Sequence, residues 1–183
     1  QRLDRLISDI SDASRLDSEL SRAHIQEMDV GGLLGAIADM HNASASERGN
    51  PVIELTGFDN GPYLIEGNEG RLAQVYRNLI GNAASFSPPA GVIRMGISVE
   101  DEFVITVVED QGPGIPVNKL DAIFDRFYSE RPTTEQFGQH SGLGLSISKQ
   151  IIEAHGGEIY AQNRKMDDGE IVGARLVVKL PMT

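Results

Sequence analysis

The chain has 183 residues, of which 16 are Lys or Arg and 27 are Asp or Glu, so its formal net charge is −11. That charge opposes the approach of a phosphate polymer and argues against binding of DNA or RNA. Cys is absent, which excludes disulfides, thiolate metal sites and cysteine nucleophiles and suits a reducing compartment. No apolar run reaches the roughly 18 residues that span a bilayer. The length predicts one domain with an appendage.

The first 23 residues are predicted to be that appendage. Apolar residues recur there at spacings of three and four, which predicts an amphipathic helix. The apolar stripe is narrow and close to a heptad, so it suits a helical hairpin or bundle, with an N-terminal core helix as the alternative. Residues 24–28 are predicted to be a linker and residues 29–183 the main domain. The stripe consists of Leu3, Leu6, Ile7, Ile10, Ala13, Leu16 and Leu20.

The main domain alternates between helical and strand patterns. Asp29 and Asn68 are predicted to cap two helices at their N-termini. Residues 111–141 contain little pattern, and a loop of that length is typical of a lid or a binding loop. The order of elements predicts an α/β fold, a two-layer sandwich in which helices cover one face of a mixed sheet. The predicted helices are 29–49, 68–86, 120–127 and 142–155, and the predicted strands are 52–56, 63–66, 92–99, 103–108, 158–163 and 171–180.

Two asparagines stand out on the helix that follows Asn68. Asn78 and Asn82 are four residues apart, so their side chains share one face of the helix. Amide oxygens can hold Mg²⁺ when phosphate oxygens complete its coordination. The alternative is that both are ordinary polar surface residues.

A second candidate follows the apolar strand that ends near residue 108. Asp110 would lie at the buried end of that strand, where a carboxylate is costly unless it is hydrogen-bonded. The amino group of an adenine would supply such a bond. Gly112 and Gly114 would let the backbone approach a flat ring or adopt positive φ. An ordinary Gly-Pro turn is the alternative for residues 110–115.

A third candidate, residues 141–145, opens the last predicted helix. Glycines at a helix start leave N–H groups and the positive end of the helix dipole facing an anion. The segment has neither the Lys and hydroxyl of a P-loop nor the spacing of a dinucleotide-binding fingerprint. A flexible glycine hinge is the alternative. Taken together, the three candidates predict a nucleotide site.

These segments resemble the catalytic, ATP-binding domain of bacterial sensor histidine kinases, within the superfamily that also contains gyrase, Hsp90 and MutL. In the order of the chain, residues 78–83 resemble the N box, 110–114 the G1 box, 124–128 the F box, 141–145 the G2 box and 155–157 the glycine motif that follows it. The resemblance covers roughly residues 29–181. It implies the Bergerat α/β sandwich, with Mg·ATP bound under a lid between residues 111 and 141.

The resemblance also implies the roles of individual residues. Asp110 would bind the adenine, Asn82 would be the Mg²⁺ ligand, and Asn78 would act with it near the phosphates as the second catalytic residue. The remaining residues implied to line the nucleotide site are Gly112, Gly114, Ile115, Phe124, Phe127, Ser141, Gly142, Leu143, Gly144 and Leu145.

The residue one helical turn before Asn82 bears on the type of reaction. Members of the superfamily that hydrolyse ATP have Glu at this position, where a carboxylate can activate water. Here the residue is Asn78, and an amide does not accept a proton at neutral pH. The resemblance therefore implies phosphotransfer to a histidine. A hydrolysing module of the gyrase, Hsp90 or MutL type and a nucleotide-binding pseudokinase are the alternatives.

Two departures from the family pattern affect the expected phosphate contacts. Ser85 stands where family members commonly have Lys, and Ser129 stands where they often have Arg. Replacement cations could come from Arg77, Arg126 or Arg131, or these three could be solvated arginines. The departures bear on the catalytic rate more than on nucleotide binding.

The acceptor histidine is the largest difference between this sequence and a complete kinase. None of His24, His41, His140 and His155 has the sequence context of a phosphoaccepting histidine. Residues 1–23 would then be the second helix of a dimerisation and phosphotransfer hairpin that lost its first helix. Alone, the chain is expected to bind Mg·ATP without autophosphorylating.

The resemblance further implies the partners and the location. The expected partners are the histidine-bearing helix of the same protein or of its dimer mate and a response-regulator receiver domain. The chain begins with Gln1, so we expect the cytoplasmic part of a longer, membrane-anchored homodimeric sensor. Residues 127–132 and 138–145 narrow the resemblance to the ChvG/BvrS group of alphaproteobacterial envelope-sensing kinases.

Overall fold

The computed structural model describes residues 25–126, residue 128 and residues 143–183. The predicted hairpin helix, residues 1–23, lies outside the described residues. So do three of the predicted site residues, Phe127, Ser141 and Gly142. In the part of the chain that the structure describes, no helix is both long and apolar enough to cross a membrane.

A five-stranded mixed sheet forms one layer of the domain. Its spatial order is β2-β4-β5-β7-β6, in which β2 is parallel to β4 and every other neighbouring pair is antiparallel. Two hairpins, β4–β5 and β6–β7, supply four of the strands, as the alternating patterns and turn residues predicted. The strands are β2 (Val52–Thr56), β4 (Val92–Glu100), β5 (Phe103–Glu109), β6 (Glu158–Lys165) and β7 (Ile171–Pro181).

Three helices form the second layer and cover one face of this sheet. They are α1 (Val30–Arg48), α2 (Glu69–Phe86) and α3 (Gly144–Ala154). Short 3₁₀ turns lie at Phe58–Asn60, between β2 and the next strand, and at Val117–Lys119 and Ala122–Phe124, between β5 and α3. Where a helix was predicted over 120–127, the described residues form only the Ala122–Phe124 turn. Both predicted N-caps are confirmed. The Asp29 side chain accepts from the Gly31 amide, and the Asn68 side chain accepts from the Arg71 amide. Each cap satisfies an amide that has no partner within its helix.

The core lies between α2 and the central strands. Ile93, Met95 and Ile97 alternate along β4 with more exposed residues, so their side chains face the helices. Tyr76 of α2 is fully buried against this face, and its hydroxyl is 2.8 Å from the Thr106 hydroxyl of β5. That hydrogen bond satisfies two polar groups inside the core. The predicted two-layer α/β sandwich is therefore confirmed.

One strand differs from the prediction of a linker over residues 24–28. Residues Gln26–Asp29 form β1, which pairs antiparallel with β3 (Leu64–Gly67) in a separate two-stranded sheet. Met28 is buried and lies opposite Ile65. The segment is too short and too polar to show a strand pattern, and it is ordered by a partner strand about 40 residues further along the chain.

Candidate nucleotide-binding site

Two of the predicted motifs meet where α2 packs against the start of α3. The Asn78 amide donates to the Gly144 carbonyl at 3.1 Å and to the Ser148 hydroxyl at 3.4 Å. A Cβ on Gly144 would lie 3.5 Å from the Asn78 side chain, in ordinary contact. The Asn78 side chain therefore joins the N-box helix α2 to α3, the helix that the G2 segment opens.

The N-terminus of α3 has the character of an anion site. Its N-cap, Leu143, is buried, and its side chain makes no capping hydrogen bond. Ser146 and Ser148 direct their hydroxyls to carbonyls of the first turn, at Leu143 and Gly144. The amide groups of this turn carry the positive end of the helix dipole, which favours phosphate.

Asp110 lies directly after β5, with only 7% of its surface exposed. Its Oδ1 accepts from the amides of Gly112 at 2.9 Å and Ala174 at 2.8 Å. Its Oδ2 has no donor among the described residues, so one carboxylate oxygen is available to a ligand that donates a hydrogen bond. An exocyclic amino group on adenine fits this requirement.

The pKa of Asp110 is raised above its ordinary value, mainly because burial disfavours the charged form. The hydrogen bonds from Ala174 and Gly112 act in the opposite direction, as does the nearby charge of Arg164. The Arg164 side chain also donates to the main-chain carbonyl of Asp110 at 2.9 Å, and it pairs with Glu109 at 3.3 Å. These groups support a buried carboxylate that is costly to ionise.

The two glycines after Asp110 are required by close approaches. A Cβ on Gly112 would lie 2.8 Å from the Phe86 carbonyl oxygen at the end of α2. Gly114 has φ +79°, and a Cβ there would overlap the Ile171 Cγ2 atom. Side chains at these positions would displace the loop from the sheet. The positive φ predicted for this loop is therefore present at Gly114, and approach of the backbone to a base stays a prediction.

Ile115 closes this loop, and it is held by a residue that the sequence did not single out. The Ile115 amide donates to the Asn163 side-chain oxygen at 2.7 Å, and the Asn163 amide donates to the Ile115 carbonyl at 2.6 Å. Asn163, Arg164, Gly173 and Ala174 all contact the 110–115 loop from the β6–β7 hairpin, and all were missed. The sequence features that could have indicated these residues are an Asn and a Gly inside strand patterns, where both residue types are disfavoured.

The F-box residue Phe124 is buried in the Ala122–Phe124 turn, which packs against α3. The Lys149 ammonium of α3 lies 5.9 Å from the centre of the Phe124 ring. Leu143 is buried, while Leu145 is half-buried and packs against the core. The structure thus places Phe124 beside the helix whose N-terminus carries the G2 residues.

Asn82 lies one turn after Asn78 and is half-buried. Its main-chain carbonyl accepts from the Ser85 hydroxyl, so the residue that replaces the common Lys closes a local turn of α2. Among the described residues, no cluster of three His, Asp or Glu side chains could hold a metal ion. The amide oxygen of Asn82 fits Mg²⁺ as one ligand of a shell otherwise made of phosphate and water oxygens.

Two candidate replacement cations are present among the described residues. Arg77 on α2 and Arg126 after the Ala122–Phe124 turn are both exposed. Arg131 lies outside the described residues. Whether any of the three replaces the cations lost at Ser85 and Ser129 stays a prediction.

The comparisons with known proteins agree with the fold. Residues 67–183 match the family described as histidine kinase-, DNA gyrase B- and HSP90-like ATPases. The chain belongs to this family. Sensor protein ChvG of Rhizobium meliloti is 49% identical over 99% of the chain, and sensor protein ChvG of Agrobacterium fabrum is 44% identical over 99% of it. The chain spans about a third of the length of these relatives, 32% and 31%.

Solved histidine kinase structures share its fold. The catalytic domain of histidine kinase ThkA superposes with a TM-score of 0.72 at 26% identity and covers 87% of this chain and 97% of that one. Full-length ShkA in complex with AMPPNP gives 0.72 at 27% identity over 97% of this chain and 36% of that one. The chain therefore carries an ATP-binding catalytic domain of the histidine kinase type, and its resemblance to the ChvG group is confirmed.

Proposed function

We propose that this domain transfers the γ-phosphoryl group of Mg·ATP to a histidine on a hairpin helix of the same protein or of its dimer mate, for relay to a response-regulator receiver domain. The observation that carries the proposal is the amide at position 78. Its NH₂ group donates to the Gly144 carbonyl and the Ser148 hydroxyl, so its remaining polar atom is an amide oxygen. No proton acceptor comparable to a carboxylate stands there to activate water.

Each part of the site has a defined task in this proposal. The free oxygen of Asp110 accepts from the adenine amino group, and the glycines at 112 and 114 let the loop lie against the base. The amides at the start of α3 bind phosphate oxygens. Asn82 offers an oxygen to Mg²⁺, which when bound supplies neutralisation of phosphate charge. Catalysis then rests on positioning and on electrostatic stabilisation rather than on a protein base.

The sensor relatives extend the proposal to the whole protein. The ChvG proteins that match nearly all of this chain are named sensor proteins. We infer that the 183 residues belong to a membrane-anchored, homodimeric sensor, in which this domain faces the cytoplasm and residues 1–23 are the second helix of the phosphotransfer hairpin. The stripe of apolar residues at heptad-like spacing supports that assignment.

The test is a phosphotransfer assay with radiolabelled Mg·ATP, the protein, and a separately supplied hairpin that carries the acceptor histidine. Acid-labile, base-stable label on the hairpin is the expected result. Steady release of free phosphate without a hairpin would instead identify a hydrolysing module. ATP binding without transfer, with both a free and a covalently joined hairpin, would identify a pseudokinase.

Asn82→Ala tests the metal ligand within the same experiment. The variant is expected to lose the gain in ATP affinity that Mg²⁺ gives the parent, because one oxygen ligand is removed, while binding without metal is unchanged. Asn60→Ala is the matched control, since Asn60 is exposed in the Phe58–Asn60 turn after β2. If Asn82→Ala responds to Mg²⁺ as the parent does, the metal assignment is wrong.

A further inference from the structure

Asn163 makes the two shortest hydrogen bonds to the loop that follows Asp110. Its side-chain oxygen accepts from the Ile115 amide at 2.7 Å, and its side-chain NH₂ donates to the Ile115 carbonyl at 2.6 Å. The orientation of the Asn163 amide is fixed by its partner, because a main-chain N–H can only donate and a carbonyl can only accept. One side chain therefore satisfies both polar groups of a single loop residue.

Gly114 leaves space for the contact between Asn163 and Ile115. A Cβ on Gly114 would lie 2.8 Å from the Asn163 side-chain oxygen, so only a glycine allows the amide to reach the loop at this point. Asn163 is half-buried near the end of β6, next to the register shift between Arg164 and Lys165. Asn is a poor strand former, so its presence here is better explained by the contact than by the strand.

The contact between Asn163 and Ile115 holds one end of the loop, and Asp110 holds the other end. Asp110 is bound to Ala174 through its main-chain amide and its Oδ1. Between these two points the chain contains Gly112 and Gly114, which have the widest choice of backbone conformations. Without Asn163, nothing else among the described residues bonds the main chain of Ile115. At the Ile115 end the loop would then be held only by packing of the Ile115 side chain against the core, with no hydrogen bond from the described residues to its main chain.

We propose that Asn163 is a positioning residue for recognition of the base: it holds residues 112–115 in place so that a bound adenine is directed at the free oxygen of Asp110. The inference rests on the proposed ATP site. It assigns discrimination between bases to a residue on the β6–β7 hairpin, outside the N, G1, F and G2 segments. Phosphate binding at the start of α3 does not depend on this loop.

The experiment measures the dissociation constants of ATP and of inosine triphosphate by calorimetry. Inosine triphosphate has the same phosphates but a carbonyl in place of the adenine amino group, so at that position it presents an acceptor rather than a donor to Asp110. The parent is expected to prefer ATP. In Asn163→Ala, ATP binding is expected to weaken about tenfold while inosine triphosphate changes little, because two hydrogen bonds that order the loop are lost.

Two further variants make the result specific. Asn118→Ala is the matched control, because Asn118 is exposed in the neighbouring Val117–Lys119 turn and has no hydrogen bond within the described residues. It should keep the parental preference for ATP. Asn163→Asp keeps the acceptor for the Ile115 amide but removes the donor to its carbonyl. It should also lose preference for ATP, and it serves as the test if Asn163→Ala does not fold.

The outcomes separate this inference from the proposed function. Equal weakening of both nucleotides in the Asn163 variants would show a general structural role and overturn the positioning role. Unchanged binding of both nucleotides would overturn it as well. Failure of the parent to bind ATP would instead refute the ATP site itself, and with it the premise of the inference.

Discussion

Asp110→Asn offers the sharpest test of the adenine site, because it changes one atom of a buried group. The amide keeps an oxygen where Oδ1 accepts from Gly112 and Ala174, so the loop and its link to β7 are retained. The group that replaces Oδ2 is an NH₂. It would present a donor to the adenine amino group, which is itself a donor.

The loss of affinity follows from these two changes. A hydrogen bond to a charged acceptor contributes about 1.5 to 3 kcal/mol, and opposing two donors adds a desolvation cost of similar size. The lower ends of these two contributions sum to about 3 kcal/mol, which corresponds to roughly 100-fold weaker ATP binding. The loss should be the same with and without Mg²⁺, because the Asp110 carboxylate contacts the base rather than the metal.

The same substitution should stabilise the protein without nucleotide. Burial raises the pKa of Asp110 in the folded state, so the ionised carboxylate disfavours folding at neutral pH. The amide removes that penalty. As the pH falls through the raised folded pKa toward the ordinary Asp value, the parent carboxyl becomes neutral and the advantage of the variant disappears.

Calorimetry and thermal unfolding check both parts. Asp110→Asn is expected to bind ATP about 100-fold more weakly and to melt at a higher temperature than the parent at pH 7, with the difference shrinking toward pH 4. Asp59→Asn, at an exposed residue of the Phe58–Asn60 turn, is the control. A variant that binds ATP like the parent would refute the assignment of the base site. A lower melting temperature at pH 7 would refute the argument from burial.

Two more substitutions test the loop and the core separately. Gly114→Ala should weaken ATP binding and lower the free energy of unfolding by about 1 to 3 kcal/mol, because the residue has φ +79° and its Cβ would meet Ile171; unaltered urea denaturation and binding would contradict this. Tyr76→Phe should lower the free energy of unfolding by about 1 to 2 kcal/mol, because the buried Thr106 hydroxyl loses its partner. Its ATP dissociation constant should not change, and a large change would mean that the core and the site are coupled.

Local signals predicted most of the helices and strands. The capping residues Asp29 and Asn68 begin their helices as predicted, since a cap depends on side chains within three residues of it. The β4–β5 hairpin followed from alternation of apolar residues on either side of a tight turn. Strand β3 was predicted over residues 63–66, but β1 and its pairing with β3 were missed, because β1 is short and polar and its hydrogen bonds join segments about 40 residues apart.

The candidate site also combines features that the sequence predicted with features that it did not. Asn78, Asp110 and the glycines of residues 112–114 could be proposed from residue chemistry, because amides, a carboxylate at a strand end and paired glycines have restricted uses. The sequence did not predict which of these residues lie close together in the fold. Asn78 reaches Gly144 across 66 positions of the chain, and Asn163 reaches Ile115 across 48.

The amino-acid sequence was therefore sufficient to propose the residues of the nucleotide site and to predict most of the elements that carry them, since both depend on residue type and short spacings. The surroundings of the site residues were decided by the tertiary structure, through packing of the β6–β7 hairpin against the loop after β5. It buried Asp110, raised its pKa, left one of its oxygens free and brought Asn163 to Ile115. Burial, and contacts between residues distant in the chain, arise only when the tertiary structure forms, so local sequence patterns do not predict them.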